Sequence, residues 1–227
     1  MSIEFDSSLM EYLQTVDTPT ISNAIERLRI RPKCSGFTPV ETRCLFPEFG
    51  PMCAHAVTAQ VETVTESHRT SEDTFIRLFE SVEQSAKPAV IVFQELGHYG
   101  QYAAHCGEVM ATIFKRLGGV GLVTDCAVRD LAEVRKLRFH YFARGAVASH
   151  ASFRIVGVNV PVQILGLLVQ PRDLLHGDEN GVIQIPRESF GGLKEAIQKV
   201  RSKERALMDS VHASNFTARQ LQGRFLE

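Results

Sequence analysis

The sequence lacks the segments that direct a chain into or across a membrane. Its start, MSIEFDSSLM, has no basic stretch followed by an apolar run, and no run of about 18 consecutive apolar residues occurs. It also lacks an excess of charge of either sign, with 25 basic and 26 acidic residues, so neither nucleic acid nor a membrane surface is favoured as a partner. We therefore expect a cytoplasmic protein that binds neither nucleic acid nor membranes.

Several short patterns of known chemistry are also absent. The five cysteines form no CxxC pair, which favours free thiols in a reducing compartment over disulfides or a zinc site built from these cysteines. The glycines at 97, 100 and 107 match neither GxGxxG nor a P-loop, so a dinucleotide or nucleoside triphosphate site is not supported. Neither GxSxG nor HExxH occurs.

The residues that are present fit one globular domain. Of the 227 residues, 44% are hydrophobic, which is enough for a sizeable core and argues against disorder. The apolar runs PAVIVF (88–93) and VGLVT (120–124) are typical of buried strands. Helical patterns follow them at 103–117 and 127–137, and FHYFARG then returns as a strand. This alternation predicts parallel strands joined by crossover helices.

The two ends of the chain have other patterns. Two short helical segments are predicted near the start, at 7–15 and in ISNAIERLR. VNVPVQILGLLV (158–169) and HGDENGVIQI (176–185) are β-rich, and a long helical segment, GLKEAIQKVRSKERALMDSV, follows them. We therefore predict an α/β fold with a mixed sheet, parallel βα units and a C-terminal helical extension. The predicted boundaries are 1–187 for the domain, including its N-terminal helices, and 188–227 for the extension.

Two segments, 96–110 and 124–130, directly follow the predicted buried strands, where open α/β sheets bind ligands. Arg129 and Asp130 lie near a predicted helix start, whose free amides favour anions. The guanidinium can hold a carboxylate through two hydrogen bonds, and the aspartate can hold a hard cation such as Mg²⁺. Together they suit a 2-oxo acid, which is both a carboxylate and a chelator. Taken alone, however, such a pair is more often a solvated surface pair.

The other candidate residues have equally plain structural interpretations. Glu108 is either a surface side chain or an acid at the site, and Val109 and Met110 are most simply core residues. The histidines could be ligands or bases, but a seven-residue separation is not a recognised metal spacing, so structural roles are favoured for His98, His105 and His150. The basic residues of 199–205 alternate with acidic ones and indicate a solvated helix face.

Taken together, the segments resemble the RraA-like family, which includes 4-hydroxy-4-methyl-2-oxoglutarate aldolases. The resemblance covers roughly residues 17–187 and rests on these segments: TISNA (20–24), GEVMA (107–111), GGVGLVTDCAVRD (118–130), FARG (142–145), PRD (171–173), GDENGV (177–182) and IP (185–186). It implies a swivelling β/β/α domain. It also implies assembly into homotrimers or homohexamers, with sites between subunits.

The resemblance assigns roles to six residues. Arg129 would grip the substrate carboxylate, and Asp130 would be the direct ligand of Mg²⁺ or Mn²⁺. Glu108 would contact this ion through water and help to relay protons. The backbone amides of Val109 and Met110 would complete the carboxylate cradle. Glu204 is our choice for an acidic residue that a neighbouring subunit supplies.

The implied function is a divalent-metal-dependent lyase that cleaves a carbon–carbon bond of a 2-oxo acid. Aldol cleavage of a 4-hydroxy-2-oxo acid and decarboxylation of oxaloacetate both pass through pyruvate enolate, so both stay open. The alternative is a non-catalytic binding protein, because the family's namesake inhibits a ribonuclease. The joint presence of Glu108, Arg129 and Asp130 favours the enzyme. The bulky residues His98, Tyr99 and Tyr102 either select a larger substrate or simply pack.

Overall fold

The predicted alternation of strands and helices is present in the computed structural model, which describes residues 7–64 and 71–223. The α-helices are α1 (Ser7–Leu13), α2 (Thr18–Leu28), α3 (Glu72–Gln84), α4 (Glu108–Arg116), α5 (Leu131–Leu137) and α6 (Phe190–Val211). The strands are β1 (Arg43–Cys44), β2 (Met52–Val64), β3 (Ala89–Glu95), β4 (Gly119–Thr124), β5 (Ala127–Val128), β6 (His140–Ala143), β7 (Gly145–Ala146), β8 (Ser152–Val158), β9 (Val162–Ile164), β10 (Leu167–Val169), β11 (Leu174–Asp178) and β12 (Gly181–Ile185).

One mixed sheet of eight strands organises the chain. Its order is β1-β6-β4-β3-β2-β11-β12, and β8 pairs with the second half of β2. Strands β2, β3, β4 and β6 run parallel, with α3, α4 and α5 as their successive crossovers. The predicted parallel βα units are therefore confirmed. Phe93 and Thr124 are register partners, so β3 and β4 end side by side at one edge of the sheet.

Alternating side chains of the sheet build a core on each of its faces. Ile91 and Phe93 of β3 pack towards α3, α4 and α5, and Phe114 of α4 lies 6.2 Å from Phe93 between ring centroids. Val90 and Val92 point to the other face, where the hairpin β9–β10 covers them. Each such side chain contributes about 1.5–3 kcal/mol through burial. The hairpin, the sheet and the helices form the β/β/α layers that the resemblance implies.

The N-terminal helices and α6 build a third cluster against β11 and β12. Asp17 starts α2 by accepting a 2.8 Å hydrogen bond from the Thr20 amide. The buried His176 of β11 ties these helices to the sheet, because its ring nitrogens lie 2.9 Å from Thr18 Oγ1 and 3.0 Å from the Leu13 carbonyl oxygen. The boundary between 187 and 188 stays a prediction. No helix in the described part of the chain combines the length and apolar character that a bilayer crossing requires.

Two predicted helices begin later than the sequence pattern indicates. The helix predicted for 103–117 begins at Glu108, and the one predicted for 127–137 begins at Leu131. The residues before them are extended and pair with each other: the His105 amide donates to the Ala127 carbonyl at 3.2 Å. The two helix starts predicted from the spacing of apolar residues are therefore wrong, because backbone pairing between the two segments overrides the local helical pattern.

Candidate functional site

The paired segments carry the predicted site residues to one place at the carboxyl edge of the sheet. The Arg129 amide donates to the Cys106 carbonyl at 3.0 Å, which sets Gly107 and Glu108 beside Asp130. Asp130 Oδ2 accepts a 2.8 Å hydrogen bond from the Glu108 amide and lies 3.6 Å from Arg129 Nε. The structure therefore brings together Glu108, Arg129 and Asp130, which lie up to 22 positions apart in the chain.

The backbone around this group is shaped for close approach. Asp130 has φ 58° and ψ 44°, a left-handed conformation that aspartate tolerates better than most residues. A Cβ at position 107 would lie within 3.0 Å of Asp130 Oδ2 and 2.9 Å from Arg129 Nε. Only glycine therefore lets the start of α4 meet the Arg129–Asp130 pair without displacing it.

The start of α4 carries the amides of Val109 and Met110, whose role in a carboxylate cradle stays a prediction. First-turn amides have no partner four residues earlier within the helix, and together with the helix dipole they favour an anion. Met110 is half-buried against the core, whereas Val109 is 72% exposed, so the interpretation of Val109 as a core residue is wrong. An exposed apolar side chain at this position leaves the helix start open to a ligand or a second chain.

Arg129 and Asp130 are accessible to solvent, and two buried neighbours of the pair, Cys106 and Tyr141, are uncharged. Their side chains are 36% and 35% exposed, so a dissolved ligand can reach both. Beneath them, burial raises the pKa of the Cys106 thiol to about 12 and also raises the pKa of the Tyr141 hydroxyl. Both groups are therefore uncharged at neutral pH, and the charges at the site are those of the pair and of Glu108.

Glu204, the remaining predicted residue, is not part of this group within one chain. It lies on α6, where its Oε1 accepts a 3.2 Å hydrogen bond from Asn23 of α2. The prediction assigned it to a neighbouring subunit, and that assignment stays a prediction.

A second polar cluster at the same edge of the sheet was not predicted. Glu95 ends β3, His105 precedes α4 and Cys126 follows β4. Glu95 Oε2 lies 2.8 Å from His105 Nε2 and 3.6 Å from Cys126 Sγ. The side chains of Glu95 and His105 are only 7% and 0% exposed. His105 is thus a buried partner of a carboxylate, and no local spacing of residues reveals this.

Burial and hydrogen bonding oppose each other within this cluster. Burial alone would raise the pKa of Glu95, but hydrogen bonds from His105 and Thr63 outweigh it and lower the pKa to about 2. Asp125, whose Oδ1 accepts from the Glu95 amide at 2.9 Å, has too few such partners, so burial raises its pKa to about 6. Burial also raises the pKa of the Cys126 thiol. All five cysteines are free thiols, as the sequence predicts.

The remaining aromatic and histidine candidates lie at the surface. Tyr99 precedes a short 3₁₀ turn that ends at Tyr102, and the two residues are 47% and 64% exposed. His98 and His150 are also exposed. Both alternatives for His98 and the two tyrosines, selection of a larger substrate or simple packing, stay open, and the exposed parts of these side chains are accessible to a ligand or a partner.

Comparison with known sequences places the chain in a family. Residues 18–184 match the RraA-like family, described as Aldolase/RraA. A Halalkalibacterium halodurans protein, provisionally named a 4-hydroxy-4-methyl-2-oxoglutarate aldolase, is 35% identical over 118 residues, which are 48% of this chain and 55% of that protein. An uncharacterised protein of Methanocaldococcus jannaschii is 31% identical over 128 residues, or 56% and 61% of the two chains. The matches thus span less than two-thirds of either relative.

Solved structures agree with this placement. Streptomyces coelicolor RraAS2, described as an unusual member of the RNase ES inhibitor RraA protein family, is 25% identical with a TM-score of 0.71, over 91% of this chain and 100% of that chain. An uncharacterised Pseudomonas syringae protein has the same fold, with a TM-score of 0.75 and 21% identity over 98% and 96% of the two chains. The chain is therefore a member of the RraA-like family.

Proposed function

We propose that the protein is a divalent-metal-dependent lyase that cleaves a carbon–carbon bond of a 2-oxo acid. The observation that carries the proposal is the contact between Asp130, the Glu108 amide and Arg129 beside a glycine that leaves room for them. The aldolase name of the Halalkalibacterium halodurans relative supports the same chemistry.

The donor set suits a hard cation. Asp130 offers carboxylate oxygens, one-third of the side chain is exposed, and Glu108 adds a second carboxylate that can act through water. Held there, Mg²⁺ or Mn²⁺ would supply a Lewis acid that draws negative charge from the 2-oxo acid as the bond breaks. Asp130 is the proposed direct ligand.

The chain's own groups bind and orient the substrate. Arg129 holds the substrate carboxylate by charge-assisted hydrogen bonds, and the amides of Val109 and Met110 add donors at the positive end of α4. Fixing the carboxylate in this way aligns the scissile bond before reaction. The electron pair of that bond stays on the pyruvate fragment as an enolate. The other fragment leaves as carbon dioxide or, in aldol cleavage, as an aldehyde or ketone whose former 4-hydroxyl gives its proton through water to Glu108.

The enolate must then gain one proton at carbon. Glu108, exposed at the first position of α4, is the proposed group that delivers it through water. In a homotrimer or homohexamer with sites between subunits, Glu204 of a neighbouring copy is the proposed second acid. The exposed Tyr99 and Tyr102 would then favour a substrate larger than oxaloacetate. The cytoplasmic location stays a prediction.

The test is pyruvate release by the purified full chain. Oxaloacetate is supplied with Mg²⁺ or Mn²⁺, release is followed through a coupled assay, and spontaneous decarboxylation is subtracted with metal alone. We expect enzyme-dependent release that a chelator abolishes and that added metal restores. A panel of 4-hydroxy-2-oxo acids then separates aldol cleavage from decarboxylation. Absence of release from every compound with either metal contradicts the proposal.

A second candidate is a non-catalytic binding protein that regulates a partner such as a ribonuclease. The likeness to RraAS2, whose family is described as RNase ES inhibitors, supports it. This candidate predicts tight binding to a ribonuclease in a pull-down and no chelator-sensitive lyase activity. The pyruvate assay therefore separates the two candidates directly.

A further inference from the structure

Three donor atoms of different chemistry converge at the buried cluster of Glu95, His105 and Cys126. The carboxylate oxygen, the imidazole nitrogen and the sulfur all lie within 4.8 Å of one another. They come from the end of β3, the segment before α4 and the segment after β4. Only Glu95 lies within a strand, and the backbone pairing of 104–106 with 127–129 holds the segments of His105 and Cys126 side by side.

The neighbours of the cluster orient these donors. Glu95 Oε1 accepts hydrogen bonds of 2.7 Å from the amides of Thr63 and Gly97, which turns Oε2 towards His105 and Cys126. The 3₁₀ turn that begins at Gly100 lies close to Cys126, as shown by the 2.6 Å that would separate a Cβ at position 100 from Cys126 Sγ. The turn therefore leaves little room beside Cys126 Sγ on its side of the cluster.

We propose that Glu95, His105 and Cys126 bind a first-row divalent cation of the Zn²⁺ type, at a site separate from the hard-cation position at Asp130. Oxygen, nitrogen and sulfur donors together suit such a borderline-soft ion, whereas Mg²⁺ rarely takes a thiolate. Three protein ligands leave a fourth tetrahedral position for water.

When a divalent cation binds at this site, the charges of its ligands and the protons that they release can be accounted for. Cys126 gives its thiol proton to the buffer and becomes a thiolate. The proton on His105 Nε2, which faces Glu95, moves to Nδ1, a buried ring nitrogen without a hydrogen-bond partner, so that Nε2 of the neutral ring is free to coordinate. The hydrogen bond between His105 and Glu95 is exchanged for coordination of both groups. One carboxylate and one thiolate then neutralise the two positive charges of the ion, so the buried site carries no net charge. Without a cation, burial keeps the thiol protonated.

The ion would have a structural role. Residues 104–106 pair with 127–129, and this pairing continues directly into Gly107 on one side and Arg129–Asp130 on the other. A metal that joins His105 to Cys126 therefore clamps the two segments that carry the candidate lyase residues. The absence of CxxC from the sequence bears only on sites built from two nearby cysteines, and this cluster contains one cysteine. The proposal does not depend on lyase activity.

Cobalt substitution tests the site without reference to activity. The full chain, freed of metal with a chelator, is titrated with Co²⁺, and thiolate-to-cobalt charge-transfer absorption is recorded. We expect this absorption in the wild type and in Asp130→Ala, and we expect its loss in Cys126→Ala. Cys53→Ala is the matched control, because Cys53 is an equally buried thiol in a different cluster. Zn²⁺ affinity, measured by competition with a chromophoric chelator, should fall at least about tenfold in Cys126→Ala only.

Three outcomes would overturn the proposal: no charge-transfer absorption in the wild type, absorption that persists in Cys126→Ala, or absorption that disappears in Asp130→Ala. Calorimetry of the wild type in buffers of different ionisation enthalpy is an independent check that needs no variant. It should show release of about one proton for each Zn²⁺ bound near neutral pH, because the buried Cys126 thiol must ionise. Binding without proton release excludes the thiolate ligand.

Discussion

The substitution Gly107→Ala tests the geometry of the candidate lyase site at a residue that carries no chemistry of its own. Its Cβ would lie within 3.0 Å of Asp130 Oδ2 and 2.9 Å from Arg129 Nε. An ordinary contact is 3.4 Å or more. Arg129 Nε must therefore shift by about half an ångström and Asp130 Oδ2 by about 1 Å. A misplacement of about 1 Å costs on the order of 100-fold in rate.

We expect Gly107→Ala to lower chelator-sensitive pyruvate release by about 10- to 100-fold and to weaken Mn²⁺ binding, which paramagnetic resonance measures directly. The free energy of unfolding should fall by only about 1 kcal/mol, because the pair, about one-third exposed, can move aside. Gly145→Ala is the matched control: Gly145 lies in β7 beside β5, and a Cβ there meets nothing within 4 Å. Equal activity in the two variants would refute the proposed role of the Gly107 contact.

Two further predictions concern stability. Asp125→Asn keeps the oxygen that accepts from Glu95 but removes a charge that is buried at high pH. Burial raises the pKa of Asp125 from 3.8 to about 6, so the fold loses stability as pH rises from about 4 to about 6, and the full loss is present above that range. In metal-free protein, urea unfolding should show that Asp125→Asn has a free energy of unfolding up to about 3 kcal/mol above that of the wild type at pH 8, with no difference near pH 4. Equal free energies of unfolding at pH 8 would contradict this prediction. Thr18→Val removes the hydroxyl that lies 2.9 Å from the buried His176, and it should lower the free energy of unfolding by about 1–3 kcal/mol. Thr15→Val is the exposed control and should lower it by less than about 0.5 kcal/mol. An equal cost in both threonine variants would refute the His176 contact.

Local patterns were sufficient to predict the parallel part of the fold. The runs 88–93 and 120–124 became β3 and β4, because continuous apolar segments are stable only when both faces of a sheet are covered. Their order along the chain also placed Arg129 and Asp130 at the correct edge. The segment before α4 was predicted as helix because Ala103, Ala104 and Cys106 fit helical spacing. In the structure, pairing with 127–129 determines its conformation instead.

The Glu95–His105–Cys126 cluster could not be predicted from local sequence. Its members lie 10 and 21 positions apart along the chain, and only the neighbouring ends of β3 and β4 bring them together. Glu95 itself resembled a loop residue at the end of an apolar run. The signal in the sequence was an acidic residue two positions after the predicted strand 88–93, a histidine ten positions later, and a cysteine two positions after the predicted strand 120–124.

Metal-dependent pyruvate release by Asp130→Ala, beside the wild type and Asp73→Ala, tests the central claim most directly. Asp73 is the matched control, because it is an exposed aspartate in the first turn of α3. With oxaloacetate or an active 4-hydroxy-2-oxo acid and Mg²⁺ or Mn²⁺, the account predicts that Asp130→Ala loses chelator-sensitive release while its fold, by circular dichroism, is unchanged. Asp73→Ala should keep wild-type activity. Full release by a folded Asp130→Ala protein would contradict the account.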